Sequence, residues 1–85
     1  MPMTTPFLVG FAEAVVSHLV PAGLVEIRPG AQARVVVYVA EWLGTEARGG
    51  SLLSNLERAL LACPDVEELY ATVDDLKTLV DGLAA

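Results

Sequence analysis

Proline and glycine cut this chain into runs short enough that only small elements can form between them. Proline removes an N–H and clashes with the turn before it, and glycine gives up the most entropy on ordering. Regular structure therefore ends near Pro6, Pro21–Gly23, Pro29–Gly30, Gly44–Gly50 and Pro64. Four main segments result. The first opens at Thr5-Pro6, an N-cap residue followed by proline at the first helical position. Phe7, Phe11, Ala14, Val15, His18 and Leu19 then recur at helical spacing.

In the second segment Leu24-Val25-Glu26-Ile27 alternates briefly and Arg28-Pro29-Gly30 turns the chain. The run Ala33–Leu43 holds three consecutive valines and a tyrosine, which favour a strand by propensity. Its periodicity favours a helix, because Val35, Val36, Val39, Trp42 and Leu43 form one stripe. The helix is the reading adopted, and the alternative is a hairpin pairing residues 24–27 with 34–39. After the polar loop GTEARGG, Ser51 caps a third helix with Leu52, Leu53, Leu56, Leu60 and Leu61 on its core side, stopped by Pro64.

In the last segment Asp65 and Glu68 have capping-box spacing, and Thr72 with Asp75 offers a second start. The expectation is one helix from 66 to 83, or two broken near Ala71-Thr72. Leu69, Tyr70, Val73, Leu76, Leu79, Val80 and Leu83 would supply its buried side in either case. The predicted fold is all-α: a compact bundle of four to six short helices forming a single domain over residues 1–85.

So short a bundle has an apolar surplus. With 85 residues, 54% of them hydrophobic, it hides only about 60–65% of its unfolded surface. Some Val and Leu should stay outside, and contiguous exposed apolar area marks a partner surface. Ala and Val scattered singly over the surface are the alternative outlet for the surplus.

Charge narrows the partner. The formal net charge is −6. Residues 1–50 set Glu13, Glu26, Glu41 and Glu46 against Arg28, Arg34 and Arg48, a net of −1. Residues 51–85 set seven acids against Arg58 and Lys77, a net of −5. Nucleic acid needs cations to replace its counterions, and an anionic membrane surface needs the same, so neither is expected as a partner. The stretch Phe7–Val25 is apolar, but Glu13, His18 and the Pro21–Gly23 break make it a poor membrane span. No Lys or Arg precedes Arg28, so the charged start of a secretory signal is missing. Cys63 is the single cysteine, which points to a reducing, cytoplasmic setting.

Chemistry-bearing patterns are sparse. His18 and Cys63 are each unique, and both fall on predicted apolar stripes, so both are expected as core residues rather than a catalytic dyad. Glu67-Glu68 and Asp74-Asp75 are neighbours that diverge by about 100° on a helix and cannot share a proton. One His and one Cys fall short of a zinc set. Arg48-Gly49-Gly50-Ser51 resembles an anion nest without the P-loop lysine, and reads as a flexible connector. No catalytic, cofactor or metal residue is expected, and the chain reads as a non-enzyme. The candidate interaction residues are Arg28, Arg34 and Arg48 on one side, with Glu67, Glu68, Asp74 and Asp75 on the other. Opposite patches on different sides of one domain would give head-to-tail association.

The order VVYVAEW, a loop ending in Gly50, SLLSNLERAL, then Pro64 and Leu69 resembles the bacterial effector-associated domains, small helical adaptors of the death-fold group. In that pattern an aliphatic pair precedes a tryptophan helix, glycine and leucine open the next helix, and proline closes it. Val36, Val37, Trp42, Gly50, Leu53, Leu56 and Pro64 occupy those places, over less than half the chain. The resemblance implies homotypic recruitment of a related helical domain, with no catalytic residues. The alternative function is a small chaperone, antitoxin or immunity-like protein that covers one dedicated protein partner.

Overall fold

The computed structural model describes residues 6–84, in the order α1 (Pro6–Leu19), β1 (Val25–Ile27), α2 (Gln32–Thr45), α3 (Leu52–Ala62), β2 (Val66–Leu69) and α4 (Val73–Ala84). The protein is mostly helical, and β1 pairs with β2 as a two-stranded antiparallel ribbon. The cap expected at Thr5 lies outside the described residues.

The valine-rich run is a helix. Val35, Val36, Val39 and Ala40 are buried along α2, with Trp42 and Leu43 packed at the edge of the core. Burying a continuous helical stripe outweighs the few tenths of a kcal/mol that each β-branched residue costs a helix. Arg28-Pro29-Gly30-Ala31 makes the turn that leads into it. Gly30 sits at φ 77° and Ala31 N–H donates to Arg28 C=O at 3.0 Å, as a turn with proline second and a left-handed third residue requires.

Several expectations are corrected. The stretch 66–69 is a strand, so neither the helix from 66 nor the Asp65–Glu68 capping box forms, and the helices α1–α4 carry a small two-stranded ribbon among them. The reason is the short strand β1: its backbone groups need partners, and Val66 and Leu69 turn inward beside Val25 and Ile27. The 24–27 segment is thus extended, but it pairs with 66–69 and not with 34–39. On α1 the buried face is Ala12, Val15, Val16 and Leu19, rotated by about one position, or 100°, from the predicted stripe. Small Ala and Val let α1 pack closely on α2. His18 is therefore exposed, its Nδ1 2.8 Å from Ala14 C=O, and Phe7 lies outside, stacked on Phe11 with ring centroids 6.3 Å apart. Cys63 is buried, as expected.

α3 starts where its sequence indicates, with Ser51 Oγ accepting from Ser54 N–H at 3.0 Å. Leu56 and Leu60 are fully buried, but Leu52 and Leu61 face outward. Asn55 takes a core position instead. Its Oδ1 accepts from Arg48 N–H and the Arg58 guanidinium, and its Nδ2 donates to Arg48 and Ser51 carbonyls at 3.1 and 3.0 Å. Arg58 in turn lies over Trp42, 5.7 Å from its ring centroid. This clamp pins the loop that reads from sequence as a flexible connector. Asn55→Ala strips the side-chain partner from the part-buried Arg48 N–H and C=O groups and should lower stability by about 1–3 kcal/mol. Leu52→Ala on the exposed side of the same helix should cost under about 0.5 kcal/mol. Denaturant midpoints of the two variants check the contrast.

Candidate functional site

The ribbon ladder runs beyond the strands themselves. Arg28 N–H donates to Asp65 C=O at 2.9 Å at one end, and Tyr70 N–H donates to Leu24 C=O at 2.8 Å at the other. Side chains alternate across a strand. Val25, Ile27, Val66 and Leu69 turn toward the core, so the outer face carries Arg28 with Asp65, then Glu26 opposite Glu68, then Tyr70. Glu67 is the extra residue of a bulge, since Glu26 faces Glu68 and Ile27 faces Val66.

At the Arg28 end two guanidiniums share one carboxylate. Arg28 Nη1 is 3.6 Å from Asp65 Oδ1, and Arg34, reaching from α2, places Nε 3.3 Å from Oδ2. The arginine side chains are 58% and 62% exposed whereas Asp65 is 16% exposed, so the trio shows the outside two cations over a covered anion. Exposed ion pairs of this sort add little stability. Their effect is to leave a local net charge of +1 (two arginines, one aspartate) at this end.

One step along, the sign reverses. Glu26 and Glu68 are directly opposite, an arrangement that destabilises a strand pair by a fraction of a kcal/mol. Tyr70 Oη donates to Glu26 Oε1 at 2.5 Å. That hydrogen bond, with lesser help from burial and the Glu26 and Glu68 charges, pushes the phenol pKa above its ordinary value. The ring itself remains 53% exposed.

Beside the trio, a shallow groove of about 440 Å³ runs along α2, lined by Ala33, Arg34, Val37, Tyr38, Glu41 and Asp65. Val37 is 50% exposed on it, and Tyr38 is held in place by donating its hydroxyl to Ala62 C=O at 3.1 Å.

The structure thus brings Arg28, Arg34, Glu67 and Glu68 to one ribbon and separates them from the other candidates. Arg48 sits in the pinned loop, where its guanidinium donates to Glu46 C=O at 3.2 Å. Asp75 is occupied at the start of α4: its Oδ2 accepts from Thr72 N–H at 2.8 Å while Asp75 N–H donates to Thr72 Oγ1 at 3.1 Å. That is the reciprocal capping box. Asp74 is exposed on the same turn. Asp65, Glu26, Tyr70, Val37 and Tyr38 join this surface without being among the candidate interaction residues read from the sequence. The alternation of Val25-Glu26-Ile27 and Leu69-Tyr70 is the sequence signal for Glu26 and Tyr70 alone.

His18 and Cys63 lie in unlike surroundings. His18 borders a shallow hollow with Asp75, Thr78 and Leu79, whereas Cys63 belongs to the core behind α3. Burial pushes the Cys63 thiol pKa up, away from the thiolate a nucleophile requires, and main-chain N–H groups of Asp65 and Val66 offset this in part. Among the described residues, no group of three His, Cys, Asp or Glu side chains is placed to hold a metal ion, and no helix is long and apolar enough to cross a membrane. Comparison with family models, curated proteins and solved structures finds no match to this chain.

Because the folded phenol pKa is raised, the Tyr70–Glu26 bond contributes fully below the ordinary tyrosine range and is lost as pH climbs through the raised value. Ultraviolet titration should show one tyrosine ionising late, and Glu26→Gln should bring it back toward about pH 10. An unchanged titration in that variant would show that Glu26 is not the cause.

Proposed function

We propose that this chain is a non-enzymatic interaction domain that associates with copies of itself or recruits a related helical domain. The observation that supports this reading is the apolar groove on α2, with Val37 and Tyr38 at its floor and the exposed guanidiniums of Arg28 and Arg34 beside it. Apolar surface joined to fixed charge is the composition of a specific contact: the apolar part supplies affinity and the charges supply register. Large apolar side chains also stand outside elsewhere, among them Phe7, Leu52 and Leu61, as the surplus anticipates. The resemblance to effector-associated domains favours homotypic recruitment, in a bacterial conflict or signalling system, as the setting. A cytoplasmic location suits a lone buried cysteine.

A second reading, a small chaperone, antitoxin or immunity-like protein, draws on the same groove as a seat for one partner's helix. The two readings separate by mass. For a self-associating domain, light scattering should give a mass above the monomer at low salt. That mass should fall as salt rises, because exposed charges are screened beyond about 8 Å at physiological ionic strength. A monomer across all protein and salt concentrations, together with one stoichiometric co-purifying partner, would replace self-association with the second reading.

A further inference from the structure

We infer that the ribbon face and the α2 groove form one self-complementary surface, through which two copies close into a two-fold dimer. The inference rests on the self-association proposed above and names its geometry.

It follows from order along the surface. The register sets Tyr70, the Glu26–Glu68 pair and the Arg28–Asp65–Arg34 trio in order along the ribbon, and the groove with Val37 and Tyr38 adjoins the trio through the shared Arg34 and Asp65. Successive same-face residues on a strand are about 6.6–6.8 Å apart, so the negative and positive centres are neighbours on one face. They are not on the separate sides that the charge distribution along the sequence suggested. Patches on separate sides join head to tail into rings or open filaments, whereas opposite patches adjacent on one face close on themselves as a pair under a two-fold rotation.

Place the axis between Glu26–Glu68 and the trio. Each copy's carboxylates then meet the other's guanidiniums, and each Tyr70 ring reaches the other's groove. Every group gains what it lacks in the monomer. The opposed glutamates obtain counter-charge, the two arginines that share one aspartate obtain a second acceptor, and the exposed ring and Val37 leave water together. Tyrosine and arginine are also the side chains that most often dominate interface energies.

The test uses charge reversal on the full chain. Mass is measured by light scattering for wild type, Arg34→Glu, Glu68→Arg and an equimolar mixture of the two variants, with circular dichroism to verify folding. Wild type should plateau at twice the monomer mass. Each reversal should raise the dissociation constant at least about tenfold. In the mixture both cross-copy contacts are complementary again, so a dimer should return. Val37→Lys, which fills the groove with a cation while leaving all three trio residues in place, should also weaken the dimer. A mass that climbs past the dimer with concentration overturns the two-fold geometry and leaves self-association standing. So does a dimer indifferent to the reversals and to Val37→Lys. A wild-type monomer at every concentration removes both.

Discussion

The antiparallel pairing of residues 24–28 with 65–71 is the contact on which the rest of the molecule depends. It joins the segment after the first helix to the segment before the last, and everything between, α2 and α3 included, becomes a closed loop. Closing so long a loop costs several kcal/mol of chain entropy by the usual logarithmic scaling. The ribbon's few hydrogen bonds cannot offset that alone, since each is worth only about 1 kcal/mol net. The balance comes from its inner face, where Val25, Ile27, Val66 and Leu69 lie against the helical core, and from the carbonyl of Leu24, which accepts from both Tyr70 and Ala71. The helices thus hold the ribbon, and the ribbon sets which helix faces meet.

The core of this arrangement was readable in part. Val35, Val36 and Val39 declare a helix despite their propensity because the stripe they form is continuous, and Leu56, Leu60 and Leu76 fall where the 3.6-residue period puts them. The start of α4 was readable because Thr72 and Asp75 satisfy each other locally. What could not be read depends on residues far away. Val66–Leu69 is too short to show a period of its own, and nothing nearby announces that it will meet Val25–Ile27 about forty residues earlier. The rotation of α1, which turns His18 and Phe7 outward, likewise comes with Ala12 and Val16 taking core positions against elements that follow later in the chain. The candidate surface shared this fate. Its charges were visible one by one, but the grouping of Arg28 and Arg34 on Asp65 exists only once the ribbon is paired.

Asn55 and Asp65 illustrate two uses of a polar side chain in so small a protein. Asn55 is buried and fully engaged, so the Arg48–Ser51 loop behaves as part of the scaffold. Asp65 is largely covered yet satisfied by side chains that remain in water. The first arrangement makes a rigid frame; the second keeps charge at the boundary, oriented by the frame and still open to another molecule.

The bulge at Glu67 has a consequence of its own. A ribbon of two strands presents outer edges with main-chain groups able to add further strands, the route by which small β-containing proteins grow into fibrils. The extra residue breaks the regular spacing on β2, and the carboxylates of Glu26, Glu67 and Glu68 crowd same-sign charge along any stack of identical ribbons. In a chain this rich in valine and leucine, same-sign charge on the ribbon's outer face opposes the in-register stacking by which strand edges propagate.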